Sequence, residues 1–277
     1  MGGNTMEKTL KDAVDRWLRG RREGKWFKYE QARTTLLVER LGADTPLSRI
    51  TRGVIAELRD DMLETRKPAT VNRYLTDLRT ILNTARDDWE WIESTPAIKR
   101  MKEEERVRWI TKPQARRLLE LLPEHLSAMA QFALATGLRS ANIKGLRWAQ
   151  LNADLTMLSI HGSEMKSGKD FAAPLNATAR AVLRRQRGLH PEHVFVFRGQ
   201  PVKQCSTRAW REACRKAGVP DLRFHDLRHT FASWHVQAGT HQAKLRELGG
   251  WASDRMVQRY AHLGKEHLVD AVDATTF

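Results

Sequence analysis

The chain has 277 residues, 41% of them hydrophobic, with 48 basic and 33 acidic side chains, a formal net charge of +15 and a pI near 10.3. That length exceeds a usual single domain and supports two packed cores, and the basic balance points to a polyanionic partner, nucleic acid above all, through counterion release. No apolar run approaches the ~18 residues of a membrane span, and Met1-Gly2-Gly3-Asn4-Thr5-Met6 lacks the hydrophobic stretch of a secretory signal, so a soluble, cytoplasmic protein is the expectation. The charge is uneven: residues 1–100 carry 20 basic and 16 acidic side chains, net +4, and residues 101–277 carry 28 and 17, net +11.

In chain order, residues 7–19 place Leu10, Val14, Trp17 and Leu18 on one face of an amphipathic helix. Similar spacing predicts helices over 29–41, 51–66 and 70–87, the last with Val71, Leu75, Leu78 and Leu82 as its stripe, Thr70 as N-cap and Pro68 and Pro96 on either side. Its polar side carries Asn72, Arg73, Arg79 and Arg86, read either as a solvated face or as phosphate contacts. Tyr29 and Tyr74 fall in this helical part, where packing or DNA contact are their expected uses. The mixed-charge run from Lys99 to Arg106 has no apolar stripe and reads as a linker.

Beyond it, 113–122 and 125–136 read as helices, the second buried, ended by a Gly turn at Thr136-Gly137-Leu138-Arg139. Residues 155–161 and 171–175 are β-prone and flank a hairpin tip at 163–169; 176–188 and 204–217 read as helical, with a short strand at 194–197 between them. From Asp226 onward the pattern is helical again. Cys205 and Cys214 sit nine residues apart in a segment read as helical and are taken as free thiols, forming neither a metal pair nor a disulfide.

The last sixty residues hold the chemistry. His225-Asp226-Leu227-Arg228, Gly249-Gly250-Trp251 and Tyr260 supply phosphate-binding groups, a ring N–H donor and a phenol. A phenol is a poor nucleophile at its free pKa of roughly 10 and becomes useful where cations stabilise phenolate and phosphate together. His229 lies one helical turn beyond His225 and reads as structural; no carboxylate or thiolate cluster accompanies the pair, so no metal site is expected.

Taken with upstream motifs, residues 107–262 resemble the catalytic domain of the tyrosine recombinase, or phage integrase, family. The motifs are Ala135-Thr136-Gly137-Leu138-Arg139, Lys166-Ser167-Gly168-Lys169, His225-Asp226-Leu227-Arg228-His229-Thr230, Leu248-Gly249-Gly250-Trp251 and Tyr260-Ala261-His262, in family order. Residues 7–98 more weakly resemble the family's helical core-binding domain, chiefly at Thr70-Val71-Asn72-Arg73-Tyr74-Leu75. The implied fold is mainly α with a small β-sheet (α+β): a SAM-like core-binding domain over 1–98, a linker over 99–108 and a catalytic domain over 109–277.

The resemblance implies a catalytic set of Arg139, Lys166, His225, Arg228, Trp251 and Tyr260. The two arginines would clamp the scissile phosphate, Lys166 would protonate the departing 5′ oxygen, His225 would partner the attacking phenol, and Tyr260 would be the nucleophile. Lys169 competes for the acid role and otherwise joins Asn72, Arg73 and Arg79 as a DNA contact. Trp251 stands where many relatives have His; its indole donates one hydrogen bond and cannot shuttle a proton. Asn142 stands where several relatives have an acidic residue, altering support of the arginines.

The implied activity is site-specific recombination of phage or other mobile DNA through a 3′-phosphotyrosyl intermediate, with no cofactor and no metal. Implied partners are double-stranded attachment sites gripped between the two domains, a homotetramer of protomers, and accessory excision or DNA-bending proteins, in the cytoplasm of a bacterial host. Residues 264–272 would either dock on a neighbour or fray. Many phage integrases also carry an N-terminal arm-binding domain, which the early first helix leaves out: a simple recombinase and a shortened form both fit. A type IB topoisomerase and a non-catalytic DNA-binding descendant are the alternative readings.

Overall fold

Apolar residues recurring every three or four positions build four helices in the first of two units, residues 1–105 and 106–277, of this computed structural model, which describes residues 7–24, 26–103, 106–165 and 168–263. Helix α1 (Leu10–Arg19) opens with a reciprocal capping box between Thr9 and Asp12 and buries Leu10, Ala13, Val14 and Trp17. It is followed by α2 (Phe27–Leu41), α3 (Arg52–Leu63) and α4 (Pro68–Asp87), and α4 packs against all three others. Lys67, not Thr70, is the N-cap of α4: Pro68 occupies the first turn, where its missing N–H has no partner to lose.

Asn72 departs from the expectation of a DNA contact. It is 1% exposed, and its amide donates to Met101 O and Glu103 Oε1 and accepts from Met101 N, each at 2.9 Å. The chain returning at 101–103 covers it, so it clasps that segment to α4. Arg73 is exposed and Arg79 half-buried, while Arg86 is engaged by Asp87 and Thr95. Tyr29 does not pack in the core: it is 62% exposed beside Trp26.

In the second unit, α5 (Lys112–Leu121) starts from a capping box of Thr111 and Gln114, and α6 (Glu124–Thr136) is buried on most of its surface. The short α7 (Ser140–Lys144) leads to β1 (Met157–Ile160), which pairs antiparallel with β2 (Phe171–Pro174). Leu158 faces Ala173 and Ile160 faces Phe171, and these four side chains are buried while their neighbours along each strand are exposed. Helix α8 (Ala177–Gln186) packs on α6.

The strand expected at 194–197 shortens to β3 (Val196–Phe197), which turns through Arg198 and Gly199, both at positive φ, into β4 (Gln200–Pro201). The helix expected from residue 204 begins later, as α9 (Arg208–Lys216), so Cys205 precedes it. Both cysteines are free and buried, and burial pushes their thiols up to about 11 at Cys205 and about 12 at Cys214, which leaves them protonated and inert.

The C-terminal pattern resolves into α10 (Asp226–Gln237), α11 (Gln242–Gly249) and α12 (Asp254–Gln258). Helix α10 is buried continuously from Asp226 to Ser233 and lies between α6 and α11. No helix of the described residues is long and apolar enough to cross a membrane.

Candidate active site

Helix α6 stops at Gly137, whose left-handed φ of 64° reverses the chain. A Cβ there would lie 2.3 Å from the Phe231 ring of α10, so only glycine lets the two helices approach. The chain then extends through buried Leu138 to Arg139, the N-cap of α7. Arg139 is half-buried, its Nη1 lies 3.5 Å from Gly250 O, and burial lowers its pKa from the ordinary value.

Arg228 projects from the first turn of α10 and is 4% exposed. Its Nη1 donates to Gly137 O at 2.5 Å and to Gly249 O at 2.6 Å, one carbonyl from each flanking helix end. Its Nη2 is buried and makes no hydrogen bond to the protein. Burial first, then the charge of Arg139, push its pKa down to about 9, while Tyr260 favours its charge. It therefore remains a cation at neutral pH, held next to another cation, with a donor aimed at no protein acceptor. A buried donor in that condition costs about 1–3 kcal/mol until an acceptor receives it, and an anion would also compensate the two positive charges.

The Gly249-Gly250-Trp251 corner supplies the rest of the cradle. Gly250 ends α11 at φ 60°, and a Cβ on Gly249 would lie 1.7 Å from Trp251 Cζ3. The indole, 6% exposed, thus folds back over Gly249, and the Arg228 guanidinium sits 3.9 Å from its ring centroid. In this geometry Trp251 is a face on which the guanidinium rests, an attraction worth about 1–2 kcal/mol when desolvated.

Tyr260 follows α12 and is 1% exposed, packed in a cluster with Phe231, Leu245, Trp251 and Val257. Its hydroxyl lies 2.6 Å from His229 Nδ1. His229 is 9% exposed, and burial together with neighbouring His225, Arg259 and Arg228 pushes its pKa down to about 4, against the opposing pull of Asp226. At neutral pH the imidazole is therefore uncharged, so the phenol donates and Nδ1 accepts. His225, exposed at the start of α10, meets the His229 ring edge to face at 5.5 Å and 89°. Among the described residues no three of His, Cys, Asp and Glu converge as metal ligands.

A buried and a half-buried guanidinium, a phenol and a histidine pair thus meet where α6 and α11 end and α10 begins. The model of the phage integrase family matches residues 108–267. The chain belongs to the phage integrase family. It is 39% identical over 216 residues to the integrase of Salmonella phage P22, across 73% of this chain but only 56% of that protein, so it spans little more than half of that relative's length. Among solved structures, a lambda integrase dimer bound to a COC' core site shares the fold at a TM-score of 0.76 and 20% identity, covering 92% of this chain and 77% of that one. A lambda integrase tetramer bound to a Holliday junction also reaches 0.76, at 19% identity, covering 92% and 78%.

Arg139, Arg228, Trp251 and Tyr260 converge in the fold, with His225 at the rim. Lys166 lies outside the described residues; Lys169 is exposed. Asn142, which stands where several relatives have an acidic residue, donates to Glu164 O at 3.2 Å and lies 3.5 Å from Met165 Sδ. His229, read from the sequence as structural, also lies within hydrogen-bond reach of the candidate phenol, a contact whose only sequence signal was its position one turn from His225 and next to Arg228.

Proposed function

We propose that this chain is a site-specific DNA recombinase that cleaves and rejoins strands through Tyr260. The observation that carries the reading is the buried Nη2 of Arg228, unpartnered beside a second guanidinium in the cluster that holds the Tyr260 phenol. A phosphate diester supplies the missing acceptor and the compensating charge, and becomes more negative at its equatorial oxygens as the phenol attacks.

In this reading the phenolic oxygen forms a bond to phosphorus as the bond to the 5′ oxygen breaks. Lys166 gives that oxygen its proton, leaving a 5′ hydroxyl and a 3′-phosphotyrosyl link. The 5′ hydroxyl of the partner strand then attacks the same phosphorus and releases Tyr260. One phosphoester replaces another at each step, so no external energy source enters the balance.

His229 has a distinct part. A base whose conjugate acid has a pKa of about 4 does not deprotonate a phenol of roughly pKa 10; it fixes the hydroxyl in one orientation. Proton removal is driven by the cations as the phosphate arrives, with His225 at the rim as the exposed titratable group.

The reading extends to duplex attachment sites as substrate, four copies on two sites, accessory excision or DNA-bending proteins setting direction, and action in the bacterial cytoplasm. The P22 protein is an integrase and the lambda tetramer is bound to a Holliday junction, which supports this extension. A duplex nicked beside the cleavage site traps the covalent state, because the short 5′ fragment diffuses away. Wild-type protein is expected to yield a denaturant-stable adduct and Tyr260→Phe none. Relaxation of supercoiled DNA without site preference would favour a topoisomerase instead.

A further inference from the structure

Beside the active site lies a second concavity of about 440 Å³, bounded by the start of α7, the loop before α9 and the segment entering α10. Lys144, Lys203 and Arg223 line it with the hydroxyls of Ser140 and Ser206, and no carboxylate does. Lys144 Nζ donates to Lys203 O at 3.1 Å, which ties α7 to the opposite wall and shapes the hollow. Lys203, Ser206 and Arg223 are exposed to solvent, so their polar groups are open to a ligand. The Cys205 thiol in the wall stays neutral, since burial pushes it up to about 11, and adds no negative charge.

The concavity shares His225 with the active-site rim, and Ser140 directly follows Arg139. Cations of one sign in a hollow, interleaved with hydroxyl donors, match a tetrahedral oxyanion. We propose that this hollow is a second phosphate subsite, which takes the DNA phosphate next to the one that Tyr260 attacks. It rests on the strand-exchange reading and adds a function to it: with two adjacent phosphates held, the scissile one is fixed in rotation as well as position.

The test uses the full chain and duplexes carrying its cleavage site, each with one neutral methylphosphonate at a position flanking the scissile phosphate. Wild type is expected to lose about tenfold in affinity at one adjacent position, the size of a charged hydrogen bond. Arg223→Ala and Lys203→Ala are expected to lose less than twofold there, because the partner is already gone. Lys216→Ala, whose ammonium lies 3.6 Å from Glu212 on α9, keeps the full tenfold sensitivity.

The salt slope of binding to unmodified DNA should fall by about 0.9 for each subsite cation removed. Variants as sensitive as wild type at every flanking position would overturn the proposal. So would variants that lose response only to inorganic phosphate at fixed ionic strength, since the hollow would then take a free anion. An adduct without this coupling counts against the subsite alone, whereas no wild-type adduct counts against the strand-exchange reading.

Discussion

Lowering the pH should loosen the catalytic unit through His229. The folded protein holds this imidazole at a pKa of about 4, against an ordinary value of 6.5, so between those limits the unfolded chain binds a proton that the folded one refuses. Stability therefore falls as pH drops through that window and changes little above it. For one group with these two values the loss is about 2 kcal/mol at pH 5 and approaches about 3 kcal/mol below pH 4. With His229 only 9% exposed, solvent screening does not erase the effect. His235 and His125 are also lowered by burial and add to the slope, so the comparison must isolate one residue. His229→Gln keeps a hydrogen-bond acceptor for the phenol and does not titrate. Urea unfolding at pH 7.5 and pH 5, followed through the transition of the second unit, should show a pH-dependent loss smaller by about 2 kcal/mol in the variant than in wild type. Parallel losses in the two proteins would refute the assignment of a buried neutral imidazole.

Tyr260→Phe leaves His229 Nδ1 buried without its donor and should cost about 1–3 kcal/mol in chemical denaturation, alongside its loss of adduct. Gly249→Ala places a methyl 1.7 Å from the Trp251 ring; displacing the indole from Arg228 should cost about 1–3 kcal/mol and cut adduct yield, measured by calorimetry and gel. Arg228→Lys keeps the charge but not the fork that spans two carbonyls and a phosphate, so the cleavage rate should fall by about 100-fold or more in single-turnover assays. Asn72→Ala should destabilise the first unit by about 1–3 kcal/mol while leaving the salt slope of DNA binding unchanged, the opposite of what a phosphate contact requires.

Helix positions were legible because they depend on local pattern: the stripe Val71, Leu75, Leu78 and Leu82 is buried as its spacing requires, and with only three tyrosines in the chain the candidate phenol was narrowly defined. The partners of Arg228 were not, since its acceptors are backbone carbonyls 91 and 21 residues away that leave no trace in residue type. Asn72 adjoins its helix stripe and is covered only by a segment 29 residues later. The contact between His229 and the phenol was hidden for a related reason. Helix α10 is buried on every side from Asp226 to Ser233, so no amphipathic pattern separates a histidine that packs from one that meets the phenol.

The most direct test of strand exchange at this site is mass spectrometry of the trapped protein–DNA adduct after protease and nuclease digestion. A nucleotide joined through its 3′ phosphate to the peptide containing Tyr260 is the predicted product, absent when Arg228 is replaced by Ala. A nucleotide on any other residue, or joined through a 5′ phosphate, would contradict it.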